Sequence, residues 1–418
     1  MKIENAKIVR GEITVPPDKS ITHRMIFFAS LSAGKCEIEN PLLADDTMKT
    51  IDLVKSTGVN VSVEGNRLNV EMKNVREPAS PIFCGNSGTT TRIGLGFLSR
   101  LPIFSVLYGD ESLSKRPMDR VTEPLSKLGA IFDGRNYASN LPISVRGGKI
   151  GHADYISKVS SAQVKTAFIV AALNGDGIST YREPFESRDH TENFLKSLNA
   201  IEKTGNTIKI KPSKIPPFKS TVVGDFSSAA FFVTLGVCHP NARVKIKGVG
   251  LNKTRTGFLS VLKKMGAQID VSNVTQDFEP YGDLTVESSV LEGIEISPEE
   301  IPLLIDEIPL IGLAGAFAKG KTIVRGAAEL RTKESDRINA VVSMLSSMGV
   351  NIEEYPDGFK IEGGQKLRSC TIDPSGDHRI AMMAAIAGVC ANGVEIKNPE
   401  IVSISYPSFF EDLKRVIS

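Results

Sequence analysis

Cysteine is scarce in this 418-residue chain: five residues, odd in number and widely spaced, with no Cys-x-x-Cys pair. That excludes a disulfide framework and a zinc ribbon and leaves buried free thiols. An excess of charge is also missing. Fifty basic residues stand against 48 acidic ones, for a formal charge of +2, with no run of five or six like charges. The chain is therefore no general nucleic-acid or membrane-surface binder, and anion binding has to be local. No apolar run approaches the ~20 residues that cross a bilayer. The start, Met1-Lys2-Ile3-Glu4-Asn5, lacks the apolar core of an export signal, so a cytosolic protein is expected. What is present is a 41% hydrophobic content, enough for packed cores, in a chain long enough for two or more domains.

The punctuation carries a repeat. An amphipathic run ending in Gly or Asn and followed by an alternating segment occurs around Gly58, Gly129, Asn199, Gly266 and Gly349, at spacings of 71, 70, 67 and 83 residues. This pattern predicts a helix, a left-handed cap and then a strand, in several copies continuing into a hairpin such as Val59 to Val70. A second element alternates with it, an apolar helix leading into a strand. Its six copies lie at Arg24 to Glu39, Thr91 to Leu107, Val164 to Tyr181, Ala229 to Ile246, Ile308 to Val324 and Ile380 to Ile396. The expected architecture is α/β with six units of about 70 residues. The sixth unit ends before its hairpin, and the short strands within Lys2 to Val15 are available to supply it. Two domains of three units are expected, 15–223 and 1–14 with 224–418, the alternative being one linear six-unit stack.

Every apolar helix opens on a polar cluster: Asp18-Lys19-Ser20, Asn86-Ser87-Gly88-Thr89, Ser160 to Gln163, Asp225 to Ser228, Asp306-Glu307 and Asp377-His378-Arg379. Ordinary N-capping explains the Ser, Asn and Asp in these positions, at about 1 kcal/mol each. It does not require Lys19, Gln163, His378 or Arg379. Helix starts that carry such residues suit anions, because the dipole and free amides point at them. Ser20 with Arg24 and Lys333 with Arg337 share the four-residue spacing of one helix face; a solvated charged face is the competing reading. The Gly85 to Thr91 loop matches neither the Walker nor the dinucleotide pattern. Asp306 and Glu334 are the candidate proton-transfer acids, or else salt-bridge partners of arginine. His378 suits a cap or core role as well as a catalytic one.

In order along the chain, Pro17-Asp18-Lys19-Ser20-Ile21-Thr22-His23-Arg24, Gly85 to Arg92, Lys115-Arg116-Pro117, Ser187-Arg188-Asp189-His190-Thr191-Glu192, Gly224 to Ala229, Lys333-Glu334-Ser335-Asp336-Arg337 and Asp377-His378-Arg379 closely resemble the EPSP synthase family of enolpyruvyl transferases. The resemblance implies two similar domains, each of three β-α-β-α-β-β units around buried helices in an inside-out barrel-like fold. The active site would lie in the cleft between them. It implies transfer of the enolpyruvyl group of phosphoenolpyruvate to the 5-hydroxyl of shikimate 3-phosphate, with release of phosphate and no metal or organic cofactor. A monomer is expected, with no nucleic-acid or membrane partner. Two phosphate esters and two carboxylates bring roughly six negative charges, which Lys19, Arg24, Arg92, Arg116, Lys333, Arg337 and Arg379 can meet.

By position, the resemblance gives Lys19, Ser20, Arg24, Ser161, Gln163, Ser187, Asp306 and Lys333 to the phosphorylated shikimate. It gives Lys19, Asn86, Gly88, Arg92, Arg116, Gln163, Arg337 and Arg379 to phosphoenolpyruvate. Asp306 would take the hydroxyl proton and Glu334 would protonate the methylene carbon, with Lys19 or His378 assisting phosphate departure. Three positions depart from the common pattern: Ala162 for a second Ser, His190 for Tyr, and Ile404 for a tail Lys. Arg188 could supply compensating charge. Gly88 is kept at the position associated with glyphosate sensitivity. The sister family acting on UDP-N-acetylglucosamine carries Lys-Asn where Lys19-Ser20 stands, and usually a Cys in the loop occupied by Ser112 to Arg116. A noncatalytic scaffold that binds phosphometabolites would not need Asp306 and Glu334 together.

Overall fold

The structure is a computed structural model that describes all 418 residues. The chain divides into two compact units, Pro17–Val222, and Met1–Pro16 together with Val223–Ser418.

Each unit holds three helices that are apolar on every side. In the first unit these are Lys19–Leu31, Gly88–Ser99 and Ala162–Ala172; in the second, Phe226–Cys238, Ile308–Phe317 and His378–Cys390. A helix without a polar face is stable only when surrounded, and these six are buried along nearly their whole length. Gly88–Ser99 packs on Ala162–Ala172 so closely that a Cβ on Gly96 would lie 2.3 Å from the Ala167 carbonyl oxygen. Only glycine permits that approach.

Small sheets wrap each helix trio. Five have four strands with one pattern: an edge strand parallel to the second strand, which pairs antiparallel with the last strand of a hairpin. The amphipathic helices between the second strand and the hairpin end where the sequence placed them. Gly58, Gly129, Gly266 and Gly349 have φ of +99°, +97°, +97° and +86°, and Asn199 has φ +53°. These are the left-handed caps expected from their spacing.

The amino-terminal strands do not act as a replacement hairpin. Lys2–Ile3 pairs antiparallel with Val394–Ile396 and leaves the sixth sheet with three strands. Val9–Thr14 lies parallel to Ala242–Gly250 in a different sheet. The chain thus exchanges edge strands. Val9–Thr14, which leads into helix Lys19–Leu31, belongs to the unit of residues 223–418, whereas Lys219–Thr221, which leads into helix Phe226–Cys238, lies beside Cys36–Glu39 in the other. Loop closure between such distant segments costs entropy that grows only slowly with length, so hydrophobic register decides the pairing. No helix is long and apolar enough to cross a membrane.

Candidate active site residues in each unit

In the 17–222 unit the polar residues gather at the amino-terminal ends of the three apolar helices. Asp18 caps the first helix by accepting the Ile21 amide at 2.8 Å. The next residue, Lys19, reaches Asp46 on helix Asp45–Ser56 at 2.9 Å. Arg24, one turn further, is only 2% exposed and donates to Thr191 Oγ1 (3.1 Å), the Ser20 carbonyl (2.9 Å) and the Ala162 carbonyl (3.4 Å). It therefore ties the first helix to the start of Ala162–Ala172 and to helix His190–Lys196.

Ser87 caps the second helix at Thr90 N, 3.2 Å, with Gly88 at its first position. A Cβ on Gly88 would sit 3.3 Å from Arg92 Nη1 and 3.4 Å from Arg116 Nη1, so the glycine leaves room for two guanidinium groups. Arg92 donates to Gln163 Oε1 at 2.6 Å, and Gln163 Nε2 donates to Thr89 Oγ1 at 2.8 Å. Arg116 donates to the side-chain and backbone oxygens of Asn86, whose Nδ2 donates to Asp110 at 2.7 Å. Ser161 occupies the N-cap position of the third helix without a side-chain capping bond. Ser187 donates its hydroxyl to Glu183 at 2.6 Å.

His23 lies under this cluster. Its Nδ1 meets Thr50 Oγ1 at 2.7 Å, and Thr50 meets Thr90, which donates to Ser87 Oγ. Burial, reinforced by Lys19 and Arg24 against the attraction of Asp46, pushes its pKa down to about 3. The ring is neutral at physiological pH.

The second unit assembles acids among cations. Asp306 precedes helix Ile308–Phe317, with its carboxylate 3.4 Å from Arg337 Nη1, 3.7 Å from Arg379 Nη2 and 3.9 Å from Lys333 Nζ. Glu334 accepts from Arg337 Nη2 at 2.6 Å. Arg337 is 2% exposed and donates through Nε to Asp377 at 2.7 Å. Burial opposes its charge, but Asp377, Glu334 and Asp306 outweigh that penalty and raise its pKa further. Asp377 is buried too, which favours the neutral form, yet Arg337 prevails and holds its carboxyl below the ordinary aspartate value. Asp377 also caps His378–Cys390 by accepting the Arg379 amide at 2.9 Å. Glu307 lies 3.8 Å from Arg379 Nη1 and accepts the Ser227 hydroxyl. His378, the first residue of helix His378–Cys390, is 1% exposed.

Within the 17–222 unit the structure brings together Lys19, Ser20, Arg24, Asn86, Gly88, Arg92, Ser161 and Gln163 near the starts of the apolar helices, with Arg116 reaching Asn86 from the carboxyl end of Glu111–Lys115. Within the other it brings together Asp306, Lys333, Glu334, Arg337 and Arg379. Ser187 lies on the loop before His190–Lys196, and Ile404 closes a 3-10 turn, Pro399–Ile404. Sequence reasoning missed Asp46, Thr191 and Glu183 as partners of these residues. Asp46 had a local signal in the Asp45-Asp46 pair at a helix start; Thr191 lay inside the Ser187 to Glu192 motif without pointing to Arg24, and Glu183 had no signal.

Comparison with known proteins gives the same direction throughout. A family model described as EPSP synthase (3-phosphoshikimate 1-carboxyvinyltransferase) matches residues 3–413. A 3-phosphoshikimate 1-carboxyvinyltransferase of Thermotoga neapolitana is 46% identical over 422 aligned residues, covering 100% of both chains. The Bacillus subtilis protein of the same name is 42% identical, over 100% of this chain and 99% of its own. Among solved structures, EPSP synthase from Acinetobacter baumannii superposes with a TM-score of 0.87 at 35% identity, covering 100% of this chain and 98% of its own. The enolpyruvyl transferase NikO from Streptomyces tendae shares the fold, with a TM-score of 0.80 at 15% identity over 99% of this chain and 96% of its own. Sequence motifs, family match and fold agree over the whole length, and the chain belongs to the EPSP synthase family.

Proposed function

We propose that this chain transfers the enolpyruvyl group of phosphoenolpyruvate to the 5-hydroxyl of shikimate 3-phosphate, giving 5-enolpyruvylshikimate 3-phosphate and phosphate, in chorismate and aromatic amino acid biosynthesis. The observation that carries the reading is the acid pair Asp306 and Glu334, both held by Arg337 at 3.4 and 2.6 Å. A protein that only bound phosphates would have no use for two carboxylates in a cationic cluster, whereas addition of a hydroxyl across the double bond of an enol phosphate needs one group to take a proton and another to give one.

In this scheme Asp306 removes the 5-hydroxyl proton as that oxygen bonds to C2 of phosphoenolpyruvate, and Glu334 protonates the methylene carbon. The tetrahedral adduct then expels phosphate and loses a methyl proton, which restores the double bond. In this scheme Lys19, which pairs with Asp46 at 2.9 Å, assists the departing phosphate; the burial of His378 disfavours a direct role for it. Lys19, Ser20, Arg24, Ser161, Gln163, Ser187, Asp306 and Lys333 are assigned to the phosphorylated acceptor. Lys19, Asn86, Gly88, Arg92, Arg116, Gln163, Arg337 and Arg379 are assigned to phosphoenolpyruvate. Exclusion of water around the reacting carbon would strengthen these charge interactions. The scheme needs only proton transfer and charge stabilisation, without a metal or organic cofactor. A cytosolic monomer completes the proposal.

The test is phosphate release from phosphoenolpyruvate by the purified protein, with shikimate 3-phosphate and then with UDP-N-acetylglucosamine as acceptor. Release that depends on shikimate 3-phosphate and is inhibited by glyphosate is expected. Release only with the nucleotide sugar, or binding of shikimate 3-phosphate without turnover, would overturn it.

A further inference from the structure

A buried ion cluster in the 17–222 unit has no place in the scheme above. Lys165 sits on the apolar helix Ala162–Ala172 with no exposed surface. Its Nζ lies 2.8 Å from Glu183 and 2.7 Å from Glu192, whose side chains are 1% and 4% exposed. Burial alone would lower the lysine pKa, but the two carboxylates outweigh it and raise it; burial also raises Glu192, and Lys165 offsets this only in part. Removing such ions from water costs several kcal/mol each, and apolar residues of the same volume often stabilise a core at least as well. Packing therefore does not explain the cluster.

Its contacts converge on one residue. Glu183 accepts the Ser187 amide at 3.0 Å and the Ser187 hydroxyl at 2.6 Å, while Lys165 donates to the Ser187 carbonyl at 3.1 Å. All three polar groups of Ser187 are thus fixed by a single ion pair. The rest of the loop is pinned beside the start of the same helix, because the Phe185 amide donates to Ser160 Oγ at 2.8 Å. Asn206 secures its other side through the Glu183 amide (3.1 Å) and the Pro184 carbonyl (2.9 Å).

We infer that Lys165 and Glu183 are positioning residues that set Ser187, and the Ser187-Arg188 segment with it, against the Ser160-Ser161 helix start for recognition of the phosphorylated acceptor. The inference rests on the function proposed above. Charge-assisted bonds are the ones strong enough to hold a loop without regular structure in one geometry, and pre-set geometry lowers the ordering cost of binding.

The decisive variant is Glu183→Gln, which keeps the shape and leaves Lys165 paired with Glu192. The expected result is a rise of about tenfold in KM for shikimate 3-phosphate, with kcat and the KM for phosphoenolpyruvate changed less than twofold and the melting temperature nearly kept. The effect should be much smaller in a Ser187→Ala background, since both changes remove the bond from the Ser187 hydroxyl to the Glu183 carboxylate. Should Glu183→Gln fail to fold, Lys165→Met/Glu192→Gln removes one charge of each sign together with the bond to the Ser187 carbonyl, and should give the same split. Unchanged acceptor KM, equal rises for both substrates, or full additivity with Ser187→Ala would overturn the inference. Wild-type protein without turnover would sink the proposed reaction instead; calorimetric binding of shikimate 3-phosphate to the same variants then decides the positioning role separately.

Discussion

The two units share an architecture and differ in how they hold the arginines of their candidate sites, although both pair lysines with carboxylates. In the 17–222 unit Arg24, Arg92 and Arg116 donate to hydroxyls, carbonyls and amides: Thr191, Gln163, Asn86 and the backbone. In the other, Arg337, Arg379 and Lys333 face Asp306, Glu307, Glu329, Glu334 and Asp377. Neutral partners orient a guanidinium without cancelling its charge, whereas carboxylates cancel it. Under the proposed function, the arginines of the first unit are left to meet anions, with Lys19 beside Asp46 the exception, and the second unit holds acids in fixed places. One helix-and-sheet repeat supports both because helix starts accept either chemistry at little cost to the core.

The sharpest test of the contrast is catalytic. Asp306→Asn should lower kcat by about 10³-fold, within the range general acid-base groups contribute, while shikimate 3-phosphate binding measured by calorimetry changes far less. An equal loss of binding would make Asp306 a ligand rather than the base. The second test is stability. Arg337→Met would strand Glu334, Asp377 and Asp306 and should cost about 3–5 kcal/mol in denaturant unfolding. Arg92→Met, which loses a bond to the neutral Gln163 and strands no charge, should cost less, about 1.5–3 kcal/mol. Comparable losses at the two sites would erase the distinction.

Gly88→Ala probes the anion-receiving side. Its Cβ would press on Arg92 and Arg116 at 3.3 and 3.4 Å, so KM for phosphoenolpyruvate should rise about fivefold with little change in melting temperature. An unchanged KM would detach this pocket from the substrate.

Acid separates the units more gently. The folded pKa of His23, about 3, lies below the ordinary 6.5, so the stability it contributes is present above pH 6.5 and is lost as pH falls toward 3. The slope is at most about 1.4 kcal/mol per pH unit. Asp377, lowered from 3.8, gives up its contribution only below that value. Hydrogen exchange at pH 5 should thus show protection weakening first around Lys19–Leu31, and His23→Asn should flatten that dependence. A loss that begins around His378–Cys390 would reverse the order.

Much of the fold was legible because its signals are local. Five left-handed caps and six apolar helices are each fixed by residues within a dozen positions, and the structure places them where the pattern did. The helix-start clusters were legible for the same reason, although capping and anion binding use the same residue types and could not be separated there. The exchange of edge strands was not legible. Val9–Thr14 and Lys219–Thr221 carry the alternation of any half-buried strand, and which second strand each joins depends on partners more than 180 residues away.

The same divide runs through the candidate site. The sequence by itself determined the family, the repeat, and which residue types stand at the helix starts, because those are properties of short contiguous motifs in a fixed order. Only the tertiary structure decided what each of those residues is bonded to: Lys19 to Asp46, Arg24 to Thr191, Arg337 to Asp377, Ser187 to Glu183. Lys165 was not singled out in the sequence, and its partners Glu183 and Glu192 emerged only from the fold. Charge and hydrogen bonding act over a few ångströms between segments that the chain separates by tens to hundreds of residues, and that proximity exists only once the core has packed.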